Sequence, residues 1–180
     1  MLLVLDNGSV FTQNLVDFLQ TLSIDFQRVN SNEFNISELE TFDSYILSGR
    51  RKNDSQMNAL NSKIIKHAVS ENKSLLGICY GAEMLALTLG GTIKRMKNLH
   101  RGNEHIEITV PNPLCNDKIT VFESHHFEIS KLNNSLESIG SSKICKNELI
   151  HVKDLKIFGT QFHPEMTDDG HSLIEKFVSL

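Results

Sequence analysis

The chain has no tryptophan, only three prolines and only three cysteines in 180 residues. Cys79, Cys115 and Cys145 are odd in number and widely spaced, which argues against a disulfide framework and makes a reducing cytoplasm the expected setting. Long apolar runs are missing as well. None approaches the ~20 residues that a membrane-spanning helix needs. The start, MLLVLDNGSV, lacks the basic leader and small-residue cleavage site of a signal peptide. Basic residues are not in excess: 18 Lys and Arg face 22 Asp and Glu, a net charge of −4, which counts against a nucleic-acid partner. No Gly-rich loop of the P-loop or dinucleotide type occurs, so neither ATP nor NAD is expected on this chain. His100, His105, His125 and His126 match no strong zinc spacing, and no metal is expected.

What is present suits an ordinary globular protein. Hydrophobic residues make up 39% and charged residues 22%. The length suggests one domain over residues 1–180 with a substantial core. LLVLD (2–6) ends at Asn7-Gly8 and reads as a buried strand. Residues 10–22 then carry Phe11, Leu15, Phe18, Leu19 and Leu22 at helical spacing, with Ser9 as the expected cap. Further strands are read at 25–30, 45–49 and 74–78. A helix capped by Asp54 runs to about Ser70, and another runs from Gly81 to Leu89. After Gly91 the texture changes to short strand-like pieces at 106–110, 119–124, 136–140, 148–152 and 156–161. An amphipathic helix over 169–180 closes the chain, with Leu173, Ile174, Phe177 and Val178 on one face. The fold class expected is α/β: a mostly parallel open sheet with helices on both faces, and a mixed or antiparallel C-terminal portion. Cys115, Cys145, Phe11, Phe18 and Phe177 are read as packing residues, and His67 and His171 as solvent-facing.

The stretch LLGICYGAEMLALTLGG (75–91) puts Cys79 between Gly77 and Gly81, at the carboxyl end of an expected strand and the start of a helix. Ligands of open α/β sheets gather at such ends. Glycines on either side allow a sharp elbow, and the helix N-terminus would favour thiolate over thiol. An inert core cysteine would satisfy the same pattern. A nucleophilic thiol needs a base, and histidine suits neutral pH. His163, in GTQFHPEM, also follows an expected strand, is stiffened by Pro164, and has Glu165 two residues on to orient its ring. His125 and His126, in ESHHFE, are the rivals.

GICYG around Cys79 and QFHPE around His163 together resemble the signature of the class I glutamine amidotransferases. LDNGSVFTQNL, YILSG, NPLC, FESHHFEIS and the last helix fall in that family's order, so the resemblance covers nearly the whole chain. It implies a flavodoxin-like fold and a Cys79–His163–Glu165 triad acting on L-glutamine through a Cys79 thioester. It implies oxyanion donors at the backbone of Tyr80 and at Gly49-Arg50. It also implies substrate contacts at Glu83, Ser124 and His125. Within the family the pattern is most similar to the free-standing glutaminase subunit of archaeal GMP synthase. That implies a hetero-oligomer in which the partner is a synthetase of the ATP-pyrophosphatase type, with ATP and Mg on the partner, and a role in making GMP from XMP. The N-terminal segment is also similar to the anthranilate and aminodeoxychorismate synthase branch. A stand-alone γ-glutamyl hydrolase and a regulatory module with weak catalysis are the remaining readings.

Three positions depart from the family pattern. Ser48-Gly49-Arg50-Arg51 stands where the family usually has Ser-Gly-Gly-Pro, so a left-handed backbone at Arg50 would be strained. Glu83 stands in place of a glutamine that helps hold the substrate, and its charge would raise the Cys79 pKa. Phe127 takes the place of an acidic residue in the GMP synthase branch, with Glu128 next to it.

Overall fold

A computed structural model describes residues Met1–Leu180. The strands are β1 (Leu2–Asp6), β2 (Phe26–Asn30), β3 (Ser44–Leu47), β4 (Ser74–Ile78), β5 (Thr92–Ile108), β6 (Lys118–Lys131), β7 (Leu136–Ser141), β8 (Leu149–Val152) and β9 (Ile157–Thr160). The helices are α1 (Thr12–Thr21), α2 (Ser55–Ser70), α3 (Tyr80–Thr88) and α4 (Asp168–Val178). All nine strands join one mixed sheet in the order β2-β1-β3-β4-β9-β8-β7-β5-β6. β2, β1, β3, β4 and β9 run parallel; β8, β7, β5 and β6 continue the sheet antiparallel.

The parallel strands are apolar along their length because both faces are covered. Alternate side chains feed two separate cores. Leu3, Leu5, Tyr45, Leu47 and Leu75 pack with Ile64 and Ile65 of α2 and Leu85 of α3. Leu2, Val4, Ile46, Leu76 and Ile78 pack with Leu15 and Leu19 of α1 and Leu173, Ile174 and Phe177 of α4. Each such side chain removed from water contributes about 1.5–3 kcal/mol.

Asp54 caps α2 by accepting from the Met57 N–H at 2.8 Å, and Thr167 caps α4. Ser9 does not cap α1. The helix begins after Phe11 with no side-chain cap, and the Ser9 hydroxyl instead accepts from the Phe11 N–H within the entry turn. The largest departure from the sequence reading is β5, a strand of 17 residues where only 106–110 was expected. Its first two thirds are polar and largely exposed, and it exists because β6 supplies the ladder across a long hairpin. His67 and His171 are half-buried rather than solvent-facing: His171 stacks on Phe18 with ring centroids 4.0 Å apart, and His67 lies edge-on to Tyr45. Cys115 and Cys145 are buried and unpaired. No helix is long and apolar enough to cross a membrane.

Candidate active site

β4 and β9 are neighbours, with Ile78 opposite Thr160, and the Cys79 N–H donates to the Thr160 carbonyl at 2.7 Å. The residues just beyond the two strand ends therefore meet. Cys79 sits at the elbow before α3 with φ 50° and ψ −101°, a backbone conformation that non-glycine residues rarely adopt. The elbow closes because Gly77 and Gly81 have no side chains. A Cβ on Gly81 would stand 2.3 Å from the Leu47 carbonyl oxygen, and one on Gly77 would stand 2.5 Å from Gly81. Tyr80 is the first residue of α3, where backbone N–H groups have no acceptor within the helix.

His163 follows β9 and is tied to β6 by its N–H, which donates to the Phe122 carbonyl at 2.8 Å. Its ring neighbours the Cys79 sulfur, and its Nδ1 lies 2.9 Å from Glu165 Oε1. Both His163 and Glu165 are buried. Burial opposes the charged imidazolium, but the Glu165 carboxylate and the neighbouring sulfur outweigh it and hold the His163 pKa well above the ordinary range. Burial pushes the Cys79 thiol up, with Glu83 and Glu123 adding to that effect and His163 opposing it. The thiolate preference expected from the helix N-terminus is opposed by burial.

Gly49 lies against the other side of His163, where a Cβ would come within 3.1 Å of the ring Cε1. The loop is pinned just before it. The Asn7 N–H donates to Ser48 Oγ at 2.9 Å, the Asn7 amide to the Ser48 carbonyl at 3.0 Å, and Asn61 bonds Asn7 from behind. Arg50 does not carry the strain that a left-handed backbone would impose, because its φ is not positive. It forms a bridge with Gly8, bonds Asn53, and lays its guanidinium 4.3 Å over the Tyr80 ring.

Arg50, Arg51, Asn53, Cys79, Tyr80, Glu83, Ser124, His125, His126 and Phe127 line one cleft of about 260 Å³. Of the expected site residues, Arg50, Cys79, Tyr80, Glu83, Ser124 and His125 line this cleft, while His163, Glu165 and Gly49 do not. Glu83 is buried at its floor and holds Gln161 at 3.5 Å. Burial raises its pKa, against the opposing charge of Arg50. Glu128 does not stand in for Phe127: it pairs with Lys94 at 3.0 Å across the hairpin, while Phe127 faces the cleft. His126, a rival base, is exposed, and His125, which lines the cleft, has its Nε2 2.9 Å from the buried Glu123 rather than bonded to Cys79. A larger hollow of about 600 Å³, lined by Asn7, Asn30, Asn32, Arg51, Lys52 and Asp54, opens beside this cleft and holds neither Cys79 nor His163.

Two contributors escaped the sequence reading. Phe11 was read as core, yet its ring meets His163 edge-on at 4.6 Å and Phe122 at 5.7 Å. Glu123 lies completely buried behind the cleft. The alternation of ITVFESHHF carried that signal, since Ile119, Val121, Glu123 and His125 share the buried face of β6.

A nucleophile elbow at the carboxyl edge of a mixed α/β sheet, a histidine on the adjoining strand and a carboxylate behind it define a class of thiol-dependent acyl-transfer folds. Comparison with known proteins makes this specific. The model of the family "Glutamine amidotransferase class-I" matches residues 3–179, and the chain belongs to that family. It is 30% identical to the glutamine-hydrolyzing GMP synthase subunit of Thermoplasma acidophilum, over 98% of this chain and 90% of that protein. It is also 24% identical to the glutamine-hydrolyzing GMP synthase of Serratia proteamaculans, over 98% of this chain but 36% of that longer protein. Among solved structures, a Thermoplasma acidophilum protein provisionally described as a GMP synthase subunit superposes with a TM-score of 0.87 at 28% identity, covering 99% of this chain and 92% of that one.

Proposed function

We propose that this chain hydrolyses L-glutamine at Cys79 and hands the ammonia to a separate synthetase subunit of the ATP-pyrophosphatase type, which uses it to convert XMP to GMP. One observation carries the reading: the Cys79 thiol, at a positive-φ elbow, neighbours the His163 ring, whose Nδ1 is held 2.9 Å from Glu165. The relatives named above support the choice of substrate and partner.

In this mechanism the Cys79 sulfur attacks the side-chain amide carbon while its proton passes to His163 Nε2. Glu165 fixes the ring and balances the imidazolium. The oxyanion of the tetrahedral intermediate lies against the backbone N–H of Tyr80 and one from Gly49-Arg50, each such donor lowering the barrier by roughly 3 kcal/mol. Collapse breaks the C–N bond, and His163 delivers its proton to the departing ammonia. His163 then removes a proton from water, which attacks the thioester, and glutamate leaves as the thiol is restored. The α-ammonium of glutamine faces Glu83 and its α-carboxylate faces the Arg50 and Arg51 guanidinium groups. Ser124 and His125 form the opposite wall. ATP and Mg belong to the synthetase.

A glutamate-release assay on the purified chain, with and without an ATP-pyrophosphatase subunit from the same genome, tests this. Hydrolysis that rises on adding the synthetase and vanishes in Cys79→Ala supports it. Glutamate release unaffected by Cys79→Ala, or a faster rate on other γ-glutamyl amides than on glutamine, contradicts it.

A further inference from the structure

Behind the cleft wall the long hairpin places His100 of β5 directly opposite His125 of β6. Glu123 lies two residues before His125 and so projects from the same face. That face runs inward: Glu123 is fully buried and the His125 side chain is 1% exposed. Neither oxygen of Glu123 has a hydrogen-bond partner in the protein, and neither has His100 Nε2 or His125 Nε2. Buried polar atoms are almost always paired, so unpaired atoms on three side chains gathered this closely require an explanation.

The tautomer of His125 supplies it. Its Nδ1 lies 2.6 Å from the Phe127 carbonyl, and only a protonated nitrogen can donate to a carbonyl. Nε2 of the neutral ring is then a lone pair, 2.9 Å from Glu123 Oε2 but outside hydrogen-bond geometry. Two lone-pair atoms this close, with no hydrogen bond between them, are placed as ligands of a shared cation would be. A carbonyl behind the distal nitrogen is the usual support of a metal-bound histidine. Ligand atoms of His100, Glu123 and His125 all lie within 4.8 Å of one another. Two imidazoles and one carboxylate are a zinc donor set, and bonds of ~2.0–2.1 Å set tetrahedral ligands about 3.3 Å apart, which side-chain adjustment from this arrangement would have to reach. Glu104, with Oε2 4.0 Å from His100 Nε2, is the nearest group for a fourth position. His125 also borders the open cleft, which provides an entry path.

We infer that His100, Glu123 and His125 form a binding site for a divalent transition-metal ion of the zinc type, buried directly behind the glutamine cleft. A second grouping, His125 with Cys145 and Glu148, is also within 4.8 Å. It shares the same ring and is less free: Glu148 Oε1 already accepts from the Ser142 hydroxyl at 2.6 Å. The zinc patterns sought in sequence missed this site because the ligands come from two strands brought into register, not from a short spacing. His105 and His126, candidates by sequence, are not among them; His105 bonds Thr120.

The test uses the untagged full chain, stripped with a chelator, desalted and titrated with Zn²⁺. Metal per chain after gel filtration and the melting temperature are the readouts, with Co²⁺ absorption as a third. The expected result is one zinc per chain and a melting temperature about 5–10 °C higher at a hundredfold excess over Kd. His100→Ala and Glu123→Gln lose both effects, Cys145→Ser keeps them, and the Co²⁺ spectrum shows no thiolate charge-transfer band. Wild-type chain that takes up less than a tenth of an equivalent and melts unchanged overturns the site. So does binding that survives His100→Ala and Glu123→Gln, or a Co²⁺–thiolate band that Cys145→Ser removes. The Co²⁺ spectrum of the wild-type chain decides the ligand set even if a variant fails to fold.

Discussion

Two histidine–glutamate pairs stand on opposite sides of the same cleft wall, each spaced two residues apart in sequence and 2.9 Å apart in space. In the pair at the rim, His163 with Glu165, the ring also touches Cys79, and its pKa is pushed up. In the pair behind the wall, His125 with Glu123, burial pushes the ring down, while the carboxyl is itself raised to about 7. The difference lies in what the other nitrogen meets. Glu165 faces a ring whose second nitrogen neighbours the Cys79 sulfur, so charge on the ring is useful and compensated. Glu123 faces a ring whose second nitrogen is satisfied by a carbonyl, so the ring presents a lone pair towards a carboxyl that burial disfavours as an anion. The first geometry suits proton transfer, and the second suits a bound cation. A short His–Glu distance alone does not distinguish them.

The sharpest way to separate the pairs is to remove one ring. His163→Asn is expected to lower kcat for glutamine hydrolysis by at least about a thousandfold, measured by glutamate release. A loss of less than tenfold would make the rim pair no different in kind from the buried one.

Glu165→Gln should lower kcat by on the order of a hundredfold while leaving the cleft intact. It should also move the His163 ring titration, followed by NMR, towards acid. The sign extends to stability. The folded-state pKa of His163 lies above the value of about 6.5 for an unfolded chain, so its contribution is complete below pH ~6.5 and lost as pH rises through the folded value. Glu165→Gln should flatten that alkaline decline in denaturant melts. An unchanged NMR titration would show that Glu165 does not control the ring.

For the buried pair, Glu123→Gln removes a carboxylate that has no protein partner. The metal-free variant should melt a few degrees higher than metal-free wild type. A variant that melts several degrees lower would mean that Glu123 is already satisfied and the contrast between the pairs is false. Smallest of all, Phe11→Leu trims the edge contact on His163 and should cost a few-fold in kcat/KM with little change in stability, since Phe11 is only half-buried.

The rim pair was legible in sequence and the buried one was not, and the reason is topological. β4 and β9 are short apolar runs ending in Gly, Cys and His-Pro signals, so their carboxyl ends could be placed and the side chains there assigned to one site. Family resemblance then supplied roles that spacing could not. In the antiparallel part, Lys94 to Glu104 of β5 is a polar stretch with no apolar alternation, so nothing local marks it as strand. Without that strand His100 cannot be set opposite His125, and the cluster stays invisible. Ser9 was misread for a local reason: a serine one turn too early bonds the entry turn rather than the helix. The arginine at position 50 looked costly only because the backbone angle there was unknown. With φ negative, the side chain is free to stack on Tyr80 and cover the cleft.

The central claim is that residue 79 carries the acyl group. The direct measurement is the intact mass and peptide map of the chain after reaction with an electrophilic diazoketone analogue of glutamine. One adduct per chain is predicted, on Cys79, blocked by excess glutamine and accompanied by loss of hydrolysis. An adduct on Cys115 or Cys145, or full glutamine hydrolysis by a chain labelled at Cys79, would contradict the account.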